Sequence, residues 1–259
     1  MPENLKLAAV RRKRIVELVG SQGAIGSRDL CDQFGVSEAT IRRDLQTLET
    51  KGLVARTHGG VMVNSNVLVD LPNEERKAVG AEEKRRIGVA AIDMLVGDEV
   101  VFLDAGTTGQ SVAANAHKKK DCSYVTTSLG IANQLQSQGI RNFYVIGGSY
   151  QKINDSFAGT LAISALRSLS FDIAFLCCTA IDVPKRSISI ASEVYSQVQK
   201  EAIANSRKAF AVADHSKFKG TAFVQTASFN DIFGIITNQE LDKDTATQVR
   251  NAGMELVLV

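Results

Sequence analysis

No apolar stretch in these 259 residues exceeds the length of a β-strand, Ile173–Cys178 being typical, whereas a bilayer-spanning helix needs about twenty such residues. A membrane partner is therefore not expected. The opening Met1-Pro2-Glu3-Asn4-Leu5 lacks the apolar core of a secretion signal, which points to a cytoplasmic protein. Cysteine is scarce as well. The four residues Cys31, Cys122, Cys177 and Cys178 form no CxxC pair and have no histidine at metal-ligand spacing. No metal site is expected, and the adjacent Cys177 and Cys178, closing an apolar run, read as small buried residues. Neither GxxxxGK[ST] nor GxGxxG occurs, which argues against nucleotide hydrolysis and dinucleotide binding, and no cofactor is expected. There is no internal repeat and no low-complexity tract, and Lys118-Lys119-Lys120 reads as a solvated loop.

What is present is an ordinary globular composition, 44% hydrophobic and 22% charged. The net charge of +2 is unevenly spread. Residues 1–63 carry ten Lys/Arg against seven Asp/Glu, leaving twenty against twenty-one for the rest. The small N-terminal part is thus the basic one, as attraction to DNA favours.

Within that part, residues Leu7 to Val19 place Val10, Ile15, Leu18 and Val19 on one side of a helix, with Arg11, Arg12, Lys13 and Arg14 largely on the other. Gly20 to Gly26 is expected to break it. Ser27 then suits the N-cap of a short helix holding Leu30, Cys31 and Phe34, which Gly35 stops. Ser37 suits the cap of a third helix running to about Lys51, in which Ile41, Leu45 and Leu48 form the buried stripe. A helix, a short glycine turn and a second helix have the spacing of a helix-turn-helix. Ser37, Glu38, Ala39, Thr40, Arg42 and Arg43 lie in the N-terminal half of the third helix, where base edges and phosphates are met. Leu53–Thr57 and Val61–Val63 flank His58-Gly59-Gly60, whose glycines supply the positive φ of a tight hairpin, giving a wing that carries Arg56 and His58. Arg56 is expected on phosphate. A bundle of three helices with surface arginines is common without any DNA partner; the wing following directly is what favours double-stranded DNA.

Val36-Ser-Glu-Ala-Thr-Ile-Arg-Arg-Asp-Leu-Gln-Thr-Leu-Glu49 and Gly52-Leu-Val-Ala-Arg-Thr-His-Gly-Gly60 resemble the signature of DeoR-family sugar-metabolism repressors. The resemblance implies a domain that binds operator DNA through the third helix and wing.

Residues 64–79, with Pro72-Asn73 and no sustained periodicity, read as a linker. Beyond it, a helix over about 82–95 opens an α/β domain, 80–259. Seven apolar strands follow at about 99–103, 123–126, 142–146, 172–176, 209–213, 232–236 and 255–258. Helices near 109–117, 129–138, 159–169, 193–207 and 240–251 separate them. Unalternating strands between amphipathic helices indicate a parallel sheet covered on both faces.

Ligands of such sheets sit beyond the carboxyl ends of the strands. Three such ends are rich in glycine and hydroxyls: Asp104-Ala105-Gly106-Thr107-Thr108, Thr126-Thr127-Ser128, and Gly147-Gly148-Ser149. Each is also ordinary turn and cap chemistry, but together they suit a phosphate cradle, with Asp104 reserved for sugar hydroxyls. Asp182, Glu193, Asp214 and Lys217 are further pocket candidates. Glu193 reads equally as a first-turn helix charge and Lys200 as a solvated face. The motifs Asp104–Thr108, Thr126–Ser128, Gly147-Gly148 and Asp214-His-Ser-Lys217 resemble the landmarks of the DeoR sensor domain. That domain is similar in fold to ribose-5-phosphate isomerase and implies a phosphorylated-sugar effector. The glycine-free segment Cys177–Ile188 departs from the family's usual glycine-bearing loop, which restricts backbone approach to a ligand there.

The expected function is thus a transcription repressor of carbohydrate genes controlled by a sugar phosphate. The alternative is a sugar-phosphate isomerase with an attached DNA-binding module, using Asp104, Asp182, Glu193 and Asp214 as carboxylates and Lys217 on an enediolate. A scaffold using the winged helix for protein contacts is a third reading. One winged domain reaches few base pairs, so a homo-oligomer, dimer or tetramer, is expected, held through the α/β domain.

Overall fold

The computed structural model describes residues 8–22, 24–50, 54–57, 59–63 and 73–259. The N-terminal part runs α1 (Ala8–Gln22), β1 (Ala24–Gly26), α2 (Ser27–Phe34), α3 (Glu38–Thr50), β2 (Val54–Arg56) and β3 (Gly60–Val63). The helices meet over Ile15, Val19, Leu30, Phe34, Ile41, Leu45 and Leu48, all buried as the 3.6-residue spacing requires. Gly35, at φ 61°, closes α2 and donates its N–H to the Cys31 carbonyl.

Several local expectations are corrected. The first helix continues to Gln22, and Ala24–Gly26 forms a strand antiparallel to β3, so the wing is a three-stranded sheet in the order β1-β3-β2. Val10 is 41% exposed and Arg11 only 4%, because Arg11 turns inward to Asp44. Ser27 is the first helical residue rather than the cap, which is Gly26. Neither Gly59 nor Gly60 has a positive φ. Gly60 is needed for proximity instead: a Cβ there would lie 2.2 Å from the Ile25 carbonyl oxygen, so only glycine lets β1 join the wing. His58 lies outside the described residues.

The larger part begins with α4 (Asn73–Ala78) and α5 (Ala81–Asp93), followed by β4 (Val100–Leu103), α6 (Thr107–Ala113), β5 (Ser123–Thr126), α7 (Leu129–Ser137), β6 (Phe143–Val145), β7 (Ser149–Gln151), β8 (Ser156–Ala158) and α8 (Thr160–Arg167). It continues through β9 (Phe171–Cys177), β10 (Ala180–Asp182), β11 (Ser187–Ile190), α9 (Glu193–Ala204), β12 (Ser206–Val212), β13 (Val224–Ser228), β14 (Gly234–Thr237), α10 (Lys243–Asn251) and β15 (Glu255–Leu258). All seven strands expected from apolar runs fall in one parallel sheet, ordered β15-β14-β12-β9-β4-β5-β6. Successive side chains serve opposite faces. Val101, Leu103, Ile173 and Phe175 pack with Ile87, Val112 and Ile131 on one side; Phe102, Ala174 and Leu176 pack with Leu166, Val198 and Val249 on the other.

The strand order reverses between β4 and β9. Connections from β4 build outward through β5 and β6, and those from β9 build the other way, leaving a crevice at the carboxyl ends of these two strands. Five short strands are absent from the apolar pattern: the β7–β8 hairpin and the antiparallel β10-β11-β13 sheet. The glycine-free segment after β9 is the β10–β11 hairpin, and at its turn Arg186 takes the positive φ of 50° that glycine would otherwise supply. The linker is also more structured than its composition suggests, since residues 73–78 are helical. Asn73 Nδ2 donates to the Asn154 carbonyl at 2.9 Å, and Lys84 Nζ donates to the carbonyls of Arg76 and Val79 at 2.6 and 2.5 Å. These bonds seat α4 over the crevice. Among the described residues, no helix is long and apolar enough to cross a membrane.

Candidate functional site

The winged part presents α3 to solvent by its N-terminal half. Ser37, Glu38, Ala39, Arg42 and Arg43 are exposed and Thr40 is half-buried. Ser37 Oγ accepts from the Thr40 amide at 3.3 Å, so the expected cap forms. On the inner side, Arg11 Nε donates to Asp44 Oδ2 at 2.6 Å with both side chains about 5% exposed, and this pair fastens α1 to α3. Arg56 projects from β2 with Glu49 3.9 Å away, a loose exposed pair that a phosphate could replace.

The second candidate site is the crevice between β4 and β9. Asp104, which follows β4, is fully buried. Its Oδ1 accepts from the Tyr195 hydroxyl at 2.6 Å; its Oδ2 accepts from Gln199 Nε2 at 2.5 Å and from the Cys177 amide at 2.8 Å. Burial pushes the Asp104 carboxyl up to about 6, outweighing the hydrogen bonds from Tyr195, Gln199 and the Cys177 amide that favour its charge. The Tyr195 hydroxyl also accepts from the Ala105 amide at 3.1 Å and pairs with Thr127 Oγ1 at 2.9 Å. Asp104 therefore organises the crevice floor through α9 and is not available to sugar hydroxyls.

The other predicted strand ends are similarly committed. Thr126 Oγ1 donates to the Leu103 carbonyl, Thr127 is held by Tyr195, and Ser128 caps α7 by accepting from the Ile131 amide at 3.3 Å. All three are fully buried. Gly106 caps α6, and Thr107 and Thr108 begin that seven-residue helix, each about 7% exposed. The Gly109 amide donates to Cys177 Sγ at 3.2 Å, and burial beside Asp104 raises that thiol far above its ordinary range, so it acts as a structural group. Gly147 and Gly148 lead into β7; a Cβ on Gly148 would lie 2.6 Å from the Ala158 carbonyl oxygen, so it serves the hairpin's close packing.

Asp214 and Lys217 lie near Lys84 of α5 and Arg76 of α4. Asp214, 6% exposed, caps the turn His215–Lys217 by accepting from the Ser216 amide and hydroxyl. Lys84 lies beside them. Burial lowers its ammonium from the ordinary value, Asp214 opposes this, and the neighbouring Lys217 and Arg76 cations add to the lowering. Three positive groups from α4, α5 and the turn after β12 thus gather there.

Asp182 and Glu193 are not brought in. Asp182 pairs with Lys185 at 3.3 Å and lines a separate cleft of about 490 Å³ with Pro184, Phe218 and Thr245. Glu193 is exposed at the start of α9, and Lys200 is exposed further along it. The carboxylates required by the isomerase alternative therefore do not converge.

Sequence reasoning missed Arg76, Lys84, Tyr195 and Gln199. Together with Ala105, Cys177 and Thr179, three of these line a cavity of about 30 Å³ at the crevice: Arg76, Tyr195 and Gln199. Across Ile153, which borders both, a cleft of about 550 Å³ opens between Lys77, Gln110, Tyr150 and Lys152. The available signal was a pair of polar side chains in an apolar stripe: Tyr195 and Gln199 share the buried face of α9 with Val198 and Ala202. Among the described residues no cluster of three or more His, Cys, Asp or Glu could hold a metal.

Comparison with known proteins matches residues 11–67 to the DeoR-like helix-turn-helix domain and residues 80–239 to the DeoR C-terminal sensor domain. The transcriptional repressor AccR of Agrobacterium fabrum is 34% identical over 88% of this chain and 88% of its own. The glycerol-3-phosphate regulon repressor of Escherichia coli is 31% identical over 88% of this chain and 90% of its own. Among solved structures, ribose 5-phosphate isomerase from Plasmodium falciparum overlays 53% of this chain and 52% of its own, with a TM-score of 0.39 and 16% identity. With both models matched in chain order and relatives aligned along nearly all of it, the chain is a regulator and not an isomerase: it belongs to the DeoR family of transcriptional regulators.

Proposed function

We propose that residues 1–63 hold operator DNA through α3 and the wing, and that a phosphorylated sugar or polyol bound by residues 80–259 controls that hold to regulate carbohydrate genes. The observation that carries this reading is the seating of α4. It lies at the end of the segment leading from the winged helix, its Arg76 lines the crevice cavity, and Lys84 holds its last turn. A ligand entering the crevice meets α4 directly, so different affinities for seated and displaced α4 change the arrangement of the DNA-binding part. The charge of the ligand suits the field of Arg76, Lys84 and Lys217, with Lys77 and Lys152 at the adjoining cleft. The relatives' repressor names, one of them for a glycerol-3-phosphate regulon, support the same chemistry. In this reading Gly106, Thr107 and Thr108, which follow β4, form part of the site's wall.

Calorimetry of the full chain with glycerol 3-phosphate, glucose 6-phosphate and fructose 6-phosphate tests the effector half. Binding of at least one, with operator affinity changed by the same ligand, is expected; no binding by any overturns it. On the DNA side, Arg43→Ala is expected to weaken operator binding by more than about tenfold with folding intact. Wild-type affinity at moderate salt would show that α3 does not read the operator.

Pairing of chains on adjacent half-sites completes the reading. It is supported by the exposed edge strand β6, where Tyr144 and Val145 are 58% and 40% exposed.

A further inference from the structure

The side-chain amide of Gln199 is 1% exposed and held in one orientation. Its Nε2 gives one proton to Asp104 Oδ2 at 2.5 Å and the other to the Cys177 carbonyl at 2.6 Å. Turning the amide over would set its oxygen against those two oxygens, so Oε1 is fixed. That atom is buried and has no hydrogen-bond partner among the described residues, and the side chain lines the crevice cavity of about 30 Å³. A buried carbonyl in this condition is a strong acceptor with its demand unmet. Two neighbouring donors are directed elsewhere: the Tyr195 hydroxyl proton goes to Asp104, and the Cys177 amide proton goes there also.

We propose that Gln199 sets the hydroxyl specificity of the effector pocket, its fixed Oε1 accepting a hydrogen bond from one particular hydroxyl of a phosphorylated sugar or polyol. Asp104 is the positioning residue behind it, since it is the carboxylate that orients the amide. The proposal rests on the effector reading above and adds which chemical feature is recognised. The phosphate is drawn by the cationic groups, which any phosphate monoester satisfies; the acceptor distinguishes among such esters, because an analogue lacking the hydroxyl leaves Oε1 unpaired. Sites built on a buried polar group reject the deoxy analogue far more strongly than an apolar pocket rejects a missing methylene.

The test is calorimetry on the full chain with glycerol 3-phosphate, glucose 6-phosphate and fructose 6-phosphate, each beside its monodeoxy analogues, for wild type and Gln199→Lys. Lysine keeps donors for Asp104 and the Cys177 carbonyl but removes the acceptor. For the ligand bound most tightly, one deoxy analogue is expected to bind wild type at least about tenfold more weakly. In Gln199→Lys that ratio is expected to fall to near one. A wild type for which no single hydroxyl matters by more than about twofold overturns the proposal, and so does a variant that keeps the wild-type ratio. The wild-type series decides even where the variant does not fold. Absence of binding by any of the three phosphates to wild type overturns the effector reading itself, and this proposal with it.

Discussion

Asp44→Ala is expected to destabilise the winged helix by about 3–5 kcal/mol, the range for removing one partner of a buried ion pair. Asp44 is 4% exposed and accepts from Arg11 Nε at 2.6 Å, and Arg12 Nε lies 3.9 Å from its other oxygen. Deleting the carboxylate takes from Arg11, 4% exposed, the acceptor that fastens α1 to α3, and burial makes that loss costly. The loss reaches function because Asp44 sits on the inner face of the helix whose outer face carries Arg42 and Arg43. The measurement is urea unfolding of the full chain, followed by hydrogen exchange at the α1 and α3 amides. Replacing both partners together, Arg11→Met with Asp44→Leu, is expected to cost far less, since the desolvation of two charges disappears with their attraction. A single mutant as stable as wild type would show that the pair is not needed to hold α3.

Raising the pH from 4 to 7 is expected to weaken the sensor part through Asp104, and Asp104→Asn to abolish that slope. The sign follows from proton binding. The folded carboxyl titrates at about 6 against an ordinary 3.8, so between these values the native state holds a proton that the unfolded chain has lost. Stability from this group is complete below the lower value and is lost as the pH rises through the upper one. The gap corresponds to about 3 kcal/mol. Asparagine is neutral throughout and has no such window. Thermal unfolding of both proteins across this range reads the difference directly, and parallel profiles would remove Asp104 as its source. The ionised carboxylate at neutral pH is thus costly to stability. The network that tolerates it, from Tyr195, Gln199 and the Cys177 amide, is the one that fixes the unpaired acceptor in the crevice.

How far the sequence could be read depends on the range of the interaction. Ile41, Leu45 and Leu48 declare a helix face because burial every three or four residues is a local property, and all three are buried against α1 and α2. Ile173 to Leu176 declares a covered strand by the same logic. The Gly60 requirement was visible as a glycine but misread as turn chemistry, because the carbonyl it must clear belongs to Ile25 on a strand too short to show a pattern. Thr126, Thr127 and Ser128 were legible as hydroxyls after a strand, while their use was not: each is taken by a protein partner.

Composition, periodicity and motif spacing by themselves determined a basic helix-turn-helix with a wing, a parallel sheet of seven strands, and a resemblance to the DeoR family that the comparisons bear out. Only the tertiary structure decided which strand ends form the crevice and what faces it. Strand order, not local pattern, brings Tyr195 and Gln199 against Asp104 across 91 and 95 residues of chain, sends Asp182 to another cleft, and lays the helix 73–78 over the site. A hydrogen bond depends on positions fixed to a few tenths of an ångström, and in a doubly wound sheet those positions come from the order of the strands, which no single segment encodes.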